Sequence, residues 1–150
     1  MSAHRNANRK GFTLVEILIV VIILGILAAI VIPQFTNASE DARKSNMKSQ
    51  LQTLRSQVEL YKLQHRDTAP TQANFWHVLT NKTDDAGVDS TAADAFGPYM
   101  QDVAVNPLTN SSNVVDTGTT AATTTGWYYD PATHVVHGAN KAGAQSDDGE

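Results

Sequence analysis

From Phe12 to Ile32 the chain is apolar or glycine at every position except Thr13 and Glu16. A helix through that run rises about 1.5 Å per residue and reaches roughly 30 Å, the thickness of bilayer hydrocarbon. The spacing then changes. Between Asp41 and Gln64 the apolar residues Met47, Leu51, Leu54, Val58 and Tyr61 recur at alternating steps of four and three. That pattern predicts one buried stripe on an amphipathic helix. Pro33 lacks an N–H and disfavours the α region for Ile32, so a kink, pause or strained turn is expected over Ile32–Phe35. The sequence Asn37-Ala38-Ser39-Glu40 has the form of a capping box, and either one kinked helix or two abutting helices fit.

The apolar positions thin out after the polar segment His65–Pro70. Thr71 to about Asn81 is expected to hold a short helix with Phe75, Val78 and Leu79 inward. Thr83–Ala95 is expected to be a loop. The islands Gly97–Met100 and Val103–Leu108 carry prolines and suit an irregular strand edge. Thr109–Gly126, rich in Thr, Ser, Asn and Ala, is expected to be an exposed flexible loop and a candidate for glycosylation. Trp127-Tyr128-Tyr129-Asp130 and His134–His137 flank an Asp-Pro turn, which predicts a β-hairpin whose aromatic arm packs on the helix stripe. The fold class expected is therefore α+β, a long N-terminal helix on a small C-terminal antiparallel sheet.

Charge sharpens this division. Met1–Gly11 carries Arg5, Arg9 and Lys10 and no acid, so the N-terminus is expected to stay cytoplasmic and the rest to lie outside. A secretory signal peptide begins in the same way, but its apolar core is about 7–15 residues and ends at a small-x-small site. This run is longer and reaches Pro33 without one. Its single acid, Glu16, costs roughly 2.5–3.5 kcal/mol at the centre of a span, less one turn inside the end, and an intramembrane acid calls for a partner. The 40–66 helix segment has a surplus of basic residues, whereas Asp67–Glu150 has only Lys82 and Lys141 against eleven acids. Helix and head of different subunits are thus candidates to attract one another.

The stretch Lys10-Gly11-Phe12-Thr13-Leu14-Val15-Glu16, continued by Gly25, Pro33 and the helical pattern to about Tyr61, resembles the type IV pilin superfamily. Within it, the chain resembles the major, G-type pseudopilins of type II secretion. The resemblance implies a leader (1–11) cut between Gly11 and Phe12 by a prepilin peptidase, followed by N-methylation of Phe12. It implies a transmembrane and filament-core helix (12–32), an amphipathic helix (33–66) and a periplasmic head (67–150). It also implies one long bent helix, with Gly25 and Pro33 as points of kinking or unwinding. Glu16 would then pair with the Phe12 amine of a neighbouring subunit, a charge pair that sets docking position as well as attraction.

The expected function is that of a structural subunit polymerised with itself and other pseudopilins into a pseudopilus based in the bacterial inner membrane. An assembly platform and a secretion ATPase act on it indirectly. A type IV or DNA-uptake pilus subunit is the alternative, as is an uncleaved anchor holding a periplasmic binding domain. Enzymatic chemistry is not expected. No phosphate loop, Gly-x-Ser-x-Gly or His-Glu-x-x-His occurs, and His134 and His137 would point to opposite faces of a strand, which disfavours zinc. Leader removal takes three positive charges from a chain of formal charge −4, which argues against nucleic-acid binding. Cysteine is absent, so no disulfide closes the C-terminal loop as in many type IV pilins. No cofactor is expected beyond calcium, which G-type pseudopilins often bind in a C-terminal loop. Asp147, Asp148 and Glu150 are the weak candidates here, with a frayed acidic tail as the favoured reading.

Overall fold

The computed structural model describes residues 11–147. The first element, α1, is a single α-helix from Leu14 to Gln64 with Pro33 inside it. The expected capping box at Asn37–Glu40 does not form a helix start. The backbone there is already helical and offers no orphan N–H groups to cap. The chain divides into two compact units, Met1–Glu40 and Asp41–Glu150.

In the second unit the predicted stripe is the buried one. Met47, Leu51, Leu54, Val58 and Tyr61 join Phe75, Val78, Leu79, Val114, Trp127, Tyr129 and Val136 in one core cluster. Phe75, Val78 and Leu79 lie on α2 (Phe75–Thr80) as expected, shortened to six residues by polar neighbours on both sides. α1 ends as Arg66 and Asp67 take left-handed backbone conformations (φ 55° and 63°). The fully buried His65 ties that end to the next segment. Its Nδ1 donates to the Tyr61 carbonyl at 2.9 Å, which leaves Nε2 to accept from the Thr83 hydroxyl at 3.0 Å. The Tyr61 ring stacks on it at 3.8 Å.

Three short strands follow: β1 (Val114–Asp116), β2 (Trp127–Tyr129) and β3 (Val136–Gly138), in the order β1-β2-β3. The predicted hairpin is present, with Tyr128 opposite His137 and Tyr129 opposite Val136. Its turn is built by Asp130, whose carboxylate accepts from the Ala132 amide (2.8 Å) and the Thr133 hydroxyl (2.6 Å). These two bonds, the hydroxyl's first, hold the Asp130 carboxyl below its usual range.

Two expectations are corrected. The sheet is mixed rather than antiparallel, because β1 pairs with β2 in parallel, Val114 opposite Trp127 and Asp116 opposite Tyr129. The 109–126 segment is consequently not all loop. It contains β1 and returns to the start of β2, where the amides of Gly126 and Trp127 both donate to the Asn113 carbonyl at 2.9 Å.

Side chains cover both edges of this small sheet. Gln72 and Trp76 donate to the carbonyls of Val114 (2.9 Å) and Ser112 (2.6 Å) along β1. Arg55 donates to the Val136 carbonyl on β3 at 2.8 Å. Open strand edges invite pairing with another chain, and these donors occupy the acceptors such pairing would use.

Candidate functional site

The first unit presents the residues singled out around the lone acid. Phe12 is 78% exposed, and the α1 side chains that follow it to Ile32 are exposed on all faces of the helix. Among the described residues α1 is the one helix long and apolar enough to cross a membrane, and none of its most apolar window is buried by the rest of the chain. Gly25 has open space around it and Pro33 lies within the helix. Gly11 precedes the helix; Arg5, Arg9 and Lys10 lie outside the described residues.

Glu16 sits in the first turn, and its geometry supplies a feature missed in the sequence analysis. The Thr13 hydroxyl accepts from the Glu16 amide at 3.2 Å. In return Glu16 Oε2 accepts from the Thr13 amide at 3.4 Å and faces the Thr13 hydroxyl at 3.5 Å. This is a capping box with Thr13 as N-cap, and Thr-x-x-Glu was the sequence signal for it. The carboxylate lies at the end of the helix where exposed N–H groups favour negative charge. The same residue is exposed as well as engaged with Thr13.

The C-terminal candidates behave differently. Asp147 is not part of a frayed tail. Its Oδ2 accepts from Arg55 Nη2 at 2.9 Å, and its Oδ1 lies 3.0 Å from His137 Nδ1. Partial burial pushes the Asp147 carboxyl up, but the hydrogen bonds and charges of Arg55 and His137 outweigh it and leave the group below its usual range. Asp148 and Glu150 lie outside the described residues.

Calcium takes six to eight oxygen ligands. Here both Asp147 oxygens face nitrogen donors, and the Asn140 carboxamide oxygen accepts the amides of Ala142 and Ala144, both at 3.0 Å. The neighbouring side chain is that of Lys141. Among the described residues this donor set does not fit a calcium ion. More generally, no group of three or more His, Asp or Glu residues among the described ones is placed to hold a metal. His134 sits in the hairpin turn with φ 59° and stacks near Tyr129, whereas His137 lies on β3 against Asp147, so the two histidines do not form a pair.

Comparison with known proteins places these features. Residues 6–32 match the prokaryotic N-terminal methylation motif. The chain is 30% identical over 112 residues to type II secretion system core protein G of Pseudomonas aeruginosa, covering 75% of this chain and 77% of that one. It is 42% identical over 76 residues to the core protein G of Dickeya chrysanthemi, covering 51% of this chain and 50% of the relative. It is also 35% identical over 100 residues to the type IV major pilin protein PilE1 of Neisseria gonorrhoeae, covering 67% of this chain and 41% of that one. No solved structure matches the chain. A methylation motif on an exposed apolar helix, joined to a likeness that spans most of the Pseudomonas protein, establishes that this chain belongs to the type II secretion system core protein G family, the pseudopilins of the type IV pilin superfamily.

Proposed function

We propose that the chain is the structural subunit of a pseudopilus that serves type II protein secretion. A prepilin peptidase cuts between Gly11 and Phe12, and the new Phe12 amine is methylated. The apolar part of α1 holds the subunit in the bacterial inner membrane, with the N-terminus cytoplasmic and the head periplasmic. Subunits then join head to tail, with each other and with other pseudopilins, in a contact that does not close and so grows a filament. An inner-membrane platform and a secretion ATPase drive this extension from outside the subunit.

The observation that carries this reading is a helix apolar on every face, exposed over its full first part, with a single acid one turn from the cleavage junction. Such a surface needs lipid before assembly and neighbouring helices after it. Moving the helix into a filament core leaves Glu16 in a low-dielectric setting, where a neighbour's Phe12 amine is the cation made available by cleavage. The two charges fix the axial position of one subunit on the next, because a slipped subunit leaves both uncompensated.

The test is filament assembly. Glu16→Gln is expected to insert normally into membranes and to form no pseudopilus, and mass spectrometry of the native protein is expected to show an N-terminal methylated Phe12. Normal filaments from Glu16→Gln would refute the pairing. An intact leader on the native protein would favour an uncleaved anchor. The likeness to a gonococcal major pilin makes a surface pilus the second reading. Deletion separates the two, since loss of exported enzymes from the medium with no loss of surface pili supports secretion.

A further inference from the structure

The C-terminal arm, residues 139–147, is built into the head by groups from α1, β2 and β3. The arm folds back on itself through a bridge between Ala139 and Gln145. Its inner turn is organised by Asn140, whose amide donates to the Ala144 carbonyl and whose carbonyl accepts from the Gly143 amide, both at 2.8 Å. Its far end is held twice. The Ser146 amide donates to the Gly138 carbonyl at 2.8 Å, and Asp147 is gripped by Arg55 from α1 and His137 from β3. Arg55 has a second attachment, its Nε on the Val136 carbonyl, so one guanidinium joins the edge of β3 to the arm. A planar guanidinium with fixed donors suits two acceptors at once.

The arm also covers part of the core. The three residues of β2 are all buried, and Trp127 and Tyr129 belong to the cluster formed with α1. Tyr128 points the other way, because faces alternate along a strand, yet it is only 2% exposed. Its hydroxyl donates to the Gly143 carbonyl of the arm at 2.7 Å. The arm thus supplies the partner of a buried hydroxyl on the second face of the central strand.

We infer that Arg55 and His137, by holding Asp147, do for this arm what a bound divalent cation would do in a loop rich in oxygen ligands, so that the head closes without calcium. The cation is a side chain fixed on the helix. Closure then depends on the negative charge of Asp147 and is indifferent to chelators, whether or not the chain polymerises.

Hydrogen–deuterium exchange on the full-length protein in detergent micelles tests this directly. Exchange of the 138–147 amides is expected to be the same in millimolar calcium and in excess EDTA. Asp147→Asn and Arg55→Gln are each expected to speed it by about three- to tenfold, the range for a charge-assisted hydrogen bond of partial exposure. Amides of the Met47–Tyr61 stretch serve as the internal control for a head that remains folded. Slower exchange of the wild-type arm in calcium, or faster exchange in EDTA, would overturn the inference, and so would unchanged exchange in both variants.

Discussion

Asn106 is the side chain on which three segments of the head converge, and replacing it with alanine is the most demanding test of this structure. It is fully buried. Its Nδ2 donates to the carbonyls of Gly126 (2.7 Å) and Ala139 (2.8 Å), at the start of β2 and the start of the C-terminal arm. Its Oδ1 accepts from the Leu108 amide at 2.8 Å. Truncation to alanine therefore removes three hydrogen bonds; the Gly126 carbonyl keeps the Ala139 amide at 3.2 Å, whereas the Ala139 carbonyl and the Leu108 amide must find other partners. Each such bond contributes about 0.5–1.5 kcal/mol net, and an orphaned buried group costs about 1–3 kcal/mol. A water entering the vacated space would recover part of this loss, so we expect about 3 kcal/mol of destabilisation. For a domain of this size that lowers the melting temperature by roughly 10–20 °C. Circular dichroism melts of the full-length protein in micelles measure it. Asn106→Asp keeps the size and the acceptor for Leu108 but turns an acceptor toward two carbonyls. It is expected to be at least as unstable at neutral pH and to recover partly in acid, as the carboxyl gains a proton. An aspartate variant that melts at the wild-type temperature at pH 7 would refute the reasoning, because no donor would then be needed at that point.

Other expectations follow from the same contacts. Burial, then the nearby carboxylates of Asp130, Asp116 and Glu59, pushes the Tyr129 phenol up to about 12, and burial followed by Tyr61 does the same to Tyr99. Folded values above unfolded ones mean that stability is intact below pH 10 and is lost as pH rises from about 10 to 12, which alkaline unfolding curves should show. Asp147 has the opposite sign. Its folded value lies below the unfolded one, so its contribution is present above about pH 4 and disappears as pH falls through the folded value, and Asp147→Asn should abolish that acid-dependent component. Gly143 has φ 81°, and an added Cβ would run into the backbone of Ala122. Gly143→Ala is expected to lose at least about 1–2 kcal/mol from the left-handed backbone alone, read as a lower melting temperature.

Much of the head was legible because its signals are local. The stripe from Met47 to Tyr61 follows the 3.6-residue period of a helix, and five residues at that spacing were enough to identify the buried face. The hairpin was visible because aromatic and β-branched residues flank Asp130-Pro131, and the Asp130 side chain builds the turn from its own next three residues. The Thr13–Glu16 box is equally local, with Thr-x-x-Glu as its signal, although the charge of the acid alone does not reveal it. The Asn37–Glu40 box is the reverse case, since a cap has work to do only where a helix begins, and α1 had begun at Leu14.

What escaped the sequence depends on partners far along the chain. Val114-Val115-Asp116 is too short and too thinly apolar to stand out in a Thr-rich stretch. It is a strand because β2 lies beside it with a free edge, and parallel pairing carries no turn signal to announce it. The acidic C-terminus looked solvated for the same reason. Nothing near Asp147 in the sequence reveals that Arg55, on a helix 92 residues earlier, reaches it across β3. Local order along one chain determined the membrane helix, its amphipathic continuation and the hairpin. The mixed sheet, the Asn106 junction and the fastened C-terminal arm were decided by tertiary structure, because their hydrogen bonds exist only once the α1 stripe has buried itself against the aromatic strand.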